Sequence, residues 1–174
     1  MKKYSIWFLC VVCTGLVLYY VYSTFGPSKI WQYAIFEKIV DGRSMYPHLS
    51  PWNKVRLISG YYTKNTPRTS DIVGYNYGGN KHMLIKIVRA TSDDKILLSW
   101  NNLLINDKIM SNSAGEVYVF TPWELKLLWL YIKNDHIPEE SYLLFGDNIT
   151  DSIDSRKFWA IDKSDILGKF ITKQ

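Results

Sequence analysis

The sequence predicts a mostly β protein: an antiparallel β-sheet domain carrying one N-terminal transmembrane helix. Three observations point there. Residues 6–25 are an apolar run of twenty residues, with no charge between Tyr4 and Ser28. Short apolar segments rich in Val, Ile, Leu and Tyr, broken by turn residues, dominate residues 36–120, as in an antiparallel sheet domain. Gly78-Gly79-Asn80 separates two of these segments, which is a hairpin signal.

The N-terminal run comes first in the chain. At about 1.5 Å per residue, a helix of this length spans about 30 Å, the thickness of a bilayer's hydrocarbon core. Lys2 and Lys3 precede it, placing the N-terminus in the cytoplasm by the positive-inside tendency. Tyr19, Tyr20 and Tyr22 gather near its far end, where aromatic rings favour the interface, and Gly26 and Pro27 stop the helix. A cleaved leader has an apolar core of about 7–15 residues and then a small-x-small site. This run is longer and ends in Tyr and Val, so it reads as an uncleaved anchor. Residues 1–25 are then a cytoplasmic tip and anchor, and residues 26–174 form one extracytoplasmic domain.

Strands are expected over residues 54–58, 71–75, 83–88, 96–100 and 116–120. Thr121-Pro122-Trp123-Glu124 has the form of a helix capping box, with Thr121 as N-cap and Pro122 at the first helical position. A helix over residues 123–131 would have almost no polar face, so it reads as a buried segment. The alternative is an apolar surface resting on a membrane.

The 174 residues suffice for about one compact domain. The net charge is +5, falling to +3 without Lys2 and Lys3. With no long basic run, nucleic acid is not an expected partner, whereas weak attraction to anionic lipid is. Cys10 and Cys13 both lie in the apolar run. Their spacing invites a redox or metal reading, but both read as small apolar residues of a membrane helix. The remaining domain has no cysteine, so its core holds without disulfides.

Three separated pieces carry the chemistry: Ser44 in GRSMYPHL, Lys86 in LIKIV, and the segment GDNITDSIDSR over residues 146–156. Serine needs a base to take its proton. His48, His82 and His136 are the only histidines and none lies in a recognisable triad motif, so they read as solvated or loop residues. Lysine serves as a base only when neutral, and at pH 7 fewer than about one in a thousand ordinary lysines is. Desolvation lowers the pKa. In a strand, Leu84 and Val88 share the face of Lys86, so burying that face buries the amine. By local composition alone, an edge lysine reaching water is the simpler reading.

The wider pattern resembles the type I signal peptidases. GRSMYPHL is similar to that family's G-x-S-M-x-P-T-L box, and SDIVGY to its G-D-I-V box with Ser70 in place of glycine. LIKIVRATSDDKI lies where the family has a Lys-Arg pair and a Gly-Leu-Pro-Gly-Asp turn. GDNITDSIDSRKFWA resembles the G-D-N-x-x-x-S-x-D-S-R box, and AIDKSDILGKF the closing segment. Together these pieces cover most of residues 39–170.

The resemblance implies a fold of the signal-peptidase type and a membrane-bound serine endopeptidase of the bacterial cytoplasmic membrane, acting on its extracytoplasmic side. Ser44 matches the nucleophile, Lys86 the general base and Ser152 the serine that orients the lysine. Asp154 and Arg156 match a structural ion pair, and Asp147 and Asn148 begin the loop that frames the site. Met45 and Pro47 fall in the substrate cleft. The backbone N–H of Ser44, with backbone near Gly42, is expected to form the oxyanion hole. A carboxylate touching Lys86 would raise its pKa, so Asp151 and Asp154 should point away.

The implied partners are preprotein signal peptides with small side chains at the first and third positions before the cut, and the lipid bilayer. The protein is expected to be monomeric, with no metal or organic cofactor. His48, Ile87, Ala90, Ser92, Asp93 and Ala160 depart from the family pattern, as does Gly42, where some members carry an oxyanion-hole serine. These departures keep open a dedicated peptidase for pilin or conjugation-system clients. An inactive membrane-tethered β-rich binding module is the non-enzymatic alternative. The self-cleaving repressor-type proteases share a Ser-Met and lysine theme, but lack the segment over residues 146–156 and the anchor.

Overall fold

The structure, a computed structural model, describes residues 13–17, 33–78 and 82–172. The chain divides into two units, Met1–Ala34 and Ile35–Gln174. In the first, residues 13–17 are helical and exposed; the rest of the expected anchor lies outside the described residues. Among the described residues, no helix is long and apolar enough to cross a membrane.

The second unit is mostly antiparallel β, as expected. Its strands are β1 (Ala34–Ile39), β2 (Lys54–Ser59), β3 (Ile72–Tyr75), β4 (Leu84–Ala90), β5 (Ile96–Ser99), β6 (Asn102–Ile105), β7 (Lys108–Ile109), β8 (Ser141–Phe145), β9 (Ile161–Asp162) and β10 (Ile166–Thr172). Seven form one sheet in the order β1-β2-β10-β3-β4-β8-β9, and β5-β6-β7 form a second. β3 pairs with β4 as the hairpin signal predicts, with Val73 opposite Lys86.

Alternation along β4 places the site. Ile87 enters a core with Val40, Met45, Leu49, Val55 and Phe170, and Ile85 packs against it. Val88 enters another with Val73, Tyr75 and Leu144, against which Leu84 packs. Lys86 lies on the face of Leu84 and Val88, and both faces are covered. The apolar neighbours of Lys86 therefore bury it, and the simpler edge-lysine reading fails.

Two expectations are corrected. Residues 116–120 are not a strand: Val117 makes one isolated bridge to Ser111. The period-two pattern is present, with Tyr118 and Phe120 buried and Val117 and Val119 exposed. Yet the backbone bonds are split, Tyr118 N donating to Met110 O and Phe120 N to Asn101 O, so no ladder forms. The capping box is made as expected at α1 (Pro122–Trp129), with Thr121 and Glu124 bonded reciprocally. This helix is not buried as read, however. Leu128 is covered, but Trp123 and Trp129 are 69% and 65% exposed, because α1 offers only one side to the core of Tyr118, Phe120 and Phe145.

The large sheet has no room for a side chain at Gly168 on β10. A Cβ there would stand closer than 3 Å to the Ile58 carbonyl oxygen, on the neighbouring strand β2. Gly168→Ala is therefore expected to destabilise the fold by about 1–3 kcal/mol, measured by urea unfolding; a change within about 0.5 kcal/mol would show that β10 and β2 can part freely.

Candidate active site

The serine box forms a tight turn between β1 and β2. Gly42 opens it at φ +92°, in the left-handed region that glycine tolerates best. Tyr46 N donates to Arg43 O at 3.0 Å and Leu49 N to Met45 O at 2.8 Å. Met45 and Leu49 plug into the core beneath at 1% and 4% exposure. These two anchors leave Ser44 half-buried at the rim, facing β4.

There it meets Lys86. The Nζ donates to Ser44 Oγ at 3.0 Å and to the carbonyl of Ile85 at 2.9 Å. Lys86 is 1% exposed. Burial pulls its pKa from 10.5 down to about 8, against the pull of the Asp154 carboxylate and with help from the Arg156 guanidinium. The amine is thus partly neutral near pH 7–8 while its hydrogen bond reaches a serine hydroxyl. That is the arrangement a serine nucleophile requires of its base. Among the described residues, no histidine hydrogen-bonds to Ser44: the His136 ring meets Ser92 O, and His48 is bonded through its backbone to Asp147.

The segment over residues 146–156 wraps the pair. Asn148 N donates to Ser44 O at 3.0 Å, and its side chain to Arg43 O at 3.2 Å. Asp154 lies fully buried and takes Arg156 through Nε at 2.9 Å and Nη2 at 2.8 Å, with Gly146 N on its other side at 3.0 Å. Asp154 makes no ion pair with Lys86, as expected, although its charge is felt there. Asp151 is exposed.

Ser152 is placed differently from the expectation. It is 8% exposed, and its Oγ has no hydrogen-bond partner among the described residues. The expected bond to Lys86 is not made; the amine's hydrogen bonds go to Ser44 Oγ and Ile85 O. Ser152 stays close: a Cβ on Gly146 would stand closer than 3 Å to both Ser152 Oγ and Ser44 O.

Two cavities flank the turn. One of about 360 Å³ is lined by Ser44 and Met45 together with Val40, His82 and Leu84. The other, of about 400 Å³, is lined by Pro47, Tyr46, Glu116 and Asn148. Met45 and Pro47, both expected in one cleft, therefore face different cavities.

Sequence reasoning named Asp147 but missed the residues around it, Arg89, Asn112, Ser113 and Tyr118. Asp147, buried completely, accepts from Arg89 Nη2 at 2.8 Å, His48 N at 3.2 Å, Ser113 N at 3.0 Å and Ser113 Oγ. Tyr118 OH donates to Gly146 O and Asn112 Nδ2 to Asp147 O. An arginine so close to an apolar run is a signal for Arg89. Nothing local marks Asn112, Ser113 or Tyr118, whose partners lie about thirty residues away. The altered turn after β4 is closed by Asp94, which accepts from Thr91 N and Oγ1.

Most of the chain is similar to one known family. Residues 9–173 match the family model described as signal peptidase, peptidase S26. Signal peptidase IB of Staphylococcus aureus is 25% identical over 181 residues, covering 97% of this chain and 88% of the relative, and several strains carry it. The crystal structure of a signal peptidase I from Enterococcus faecalis is 23% identical, with a TM-score of 0.45, and covers 60% of this chain and 96% of that one. The chain belongs to the S26 signal peptidase family, on the type I branch. Membership implies a serine peptidase whose substrates are preproteins with signal peptides.

The depressed pKa of Lys86 has a thermodynamic consequence. The folded protein resists protonating this amine, so a cost to stability is full below about pH 8 and fades as pH rises toward 10.5. Lys86→Met is expected to stabilise the protein at pH 7 by up to about 3 kcal/mol, with the gain shrinking as pH rises from about 8 toward 10.5, as read by denaturant unfolding. A variant no more stable than the parent at pH 7 would contradict a desolvated lysine.

Proposed function

We propose that this protein cleaves signal peptides from exported preproteins with Ser44 as nucleophile and Lys86 as general base. The observation that carries the proposal is a single contact: a buried amine, its pKa pulled to about 8, on the serine hydroxyl at 3.0 Å.

The reaction follows the serine-peptidase course. Neutral Lys86 takes the Ser44 hydroxyl proton as Oγ bonds to the scissile carbonyl carbon. Backbone N–H groups at Ser44 and near Gly42 hold the oxyanion, each donor being worth about 10²–10³ in rate. Lys86 then protonates the leaving amine, and the acyl-enzyme forms. The same amine, neutral again, takes a proton from the attacking water and returns it to Ser44 Oγ as the acyl bond breaks, which frees Ser44. Ser152 holds an unpartnered buried hydroxyl beside this path. Its role is to accept from the lysine once Ser44 Oγ has turned to the substrate. Asp154 lends the transient ammonium some field without pairing it. Asp147 and Asn148 hold the turn itself.

Residues 6–25 serve as the membrane anchor in this reading, keeping the site at the surface where a translocating preprotein exposes its cleavage point. The cavity beside Ser44 and Met45 suits the small side chains before the cut that the family resemblance implies.

Ser44→Ala and Lys86→Ala are each expected to abolish cleavage of a preprotein panel while leaving the far-ultraviolet circular dichroism unchanged; near-normal cleavage by either variant refutes the pair. In the parent, kcat/KM is expected to rise with pH and level off above a midpoint near 8, following deprotonation of Lys86. A flat profile from pH 5 to 10 would remove lysine as the titrating base.

A further inference from the structure

We propose that Tyr118 and Asn112 are positioning residues for the nucleophile, acting through the consecutive carbonyls of Gly146 and Asp147. The inference rests on the assignment of Ser44 given above.

Tyr118 is fully buried, and its hydroxyl donates to Gly146 O at 2.6 Å. Asn112 is 6% exposed, and its Nδ2 donates to Asp147 O at 3.2 Å. The N–H of that same Asp147–Asn148 peptide donates to Ser44 O. Three successive residues thus have their two carbonyls held from one side, while the third touches the nucleophile's own backbone. The intervening space is full, since Gly146 admits no Cβ between Ser44 O and Ser152 Oγ. A shift of the Gly146 or Asp147 carbonyl is therefore passed to Ser44 rather than absorbed.

Both donors are themselves fixed. The Tyr118 ring meets Phe145 edge-on at 5.6 Å and carries the Arg156 guanidinium 5.5 Å above its centre. Asn112 Oδ1 accepts from Ala114 N at 3.0 Å and Glu116 N at 2.9 Å, and its Nδ2 also donates to Glu116 Oε2 at 2.9 Å. Burial raises the Tyr118 pKa to about 12, so the hydroxyl is a donor throughout the working range. Neither side chain hydrogen-bonds to Ser44 or Lys86, so their effect runs through the loop.

A small misplacement of a reacting group lowers turnover far more than it lowers stability or binding. Tyr118→Phe keeps the ring and removes only the donor. In the full chain, assayed in detergent on a purified preprotein, it is expected to lower kcat by about tenfold or more. KM should hold within about twofold, and the pH midpoint of the rate should stay where it is in the parent. Asn112→Ser, which withdraws the amide donor but keeps an oxygen, is expected to give the same signature and carries the test if Tyr118→Phe does not fold. Unchanged kcat overturns the proposal. So does a loss expressed wholly in KM, or a moved pH midpoint, which would place the effect on Lys86. Ser44→Ala runs in parallel. If it remains active, the nucleophile assignment fails; if it is inactive while Tyr118→Phe and Asn112→Ser are normal, only the positioning role fails.

Discussion

A lysine amine is buried here with no carboxylate in contact, and the rest of the site is organised around keeping it so. Burial alone disfavours the ammonium, but Asp154 is near enough to restore it. Arg156 prevents this by taking both carboxylate oxygens of Asp154 and adding a positive field of its own at Lys86. A buried ion pair adds little to stability by itself. Its value here is that it lets a carboxylate sit behind Lys86 without becoming the amine's partner.

The sheet supplies the burial. Lys86 lies on β4, which is paired with β3 on one side and with β8 on the other, so the strand is not free at either edge along its C-terminal half. Leu84 and Val88 share the face of Lys86, and Ile85 and Ile87 fill the opposite one. The same alternation that makes an ordinary core therefore buries a charge. The serine arrives from elsewhere, on a turn pinned by Met45 and Leu49. Meeting at 3.0 Å requires that turn and β4 to be tied together, and the loop after β8 does this, with Asn148 N on Ser44 O and Asp147 on Arg89 of β4.

Much of this was legible in the sequence, and the physical reason is local in each case. The capping box at Thr121 depends on residues three apart, and the β3–β4 pair on alternation and a glycine turn. Ser44, Lys86 and the segment from Gly146 to Arg156 sit in a recognisable order and spacing. Other parts depend on partners that sequence position does not reveal. Residues 116–120 have strand alternation, but whether a ladder forms depends on a neighbouring strand being present, and here the neighbours are two separate loops. β10 lies inside the large sheet, between β2 and β3, although it comes last in the chain. Asn112, Ser113 and Tyr118 look like residues of a polar turn and its margin, and only the folded chain brings them to Gly146 and Asp147.

The departures from the family pattern are instructive for the same reason. Ile87 stands where the family motif has an arginine after its lysine, and Asp147 is not left with an unpaired buried charge. Arg89, two residues farther along β4, supplies the guanidinium at 2.8 Å. The pairing register between β4 and β8 shifts between Val88 and Ala90, beside this arginine. Asp147 in turn holds His48 N and Ser113, so a charge drawn from β4 braces the serine turn from behind. A buried carboxylate needs its charge answered, and it needs its lone pairs filled. It does not need them answered from one particular position of the chain, and here Arg89 answers Asp147 from β4.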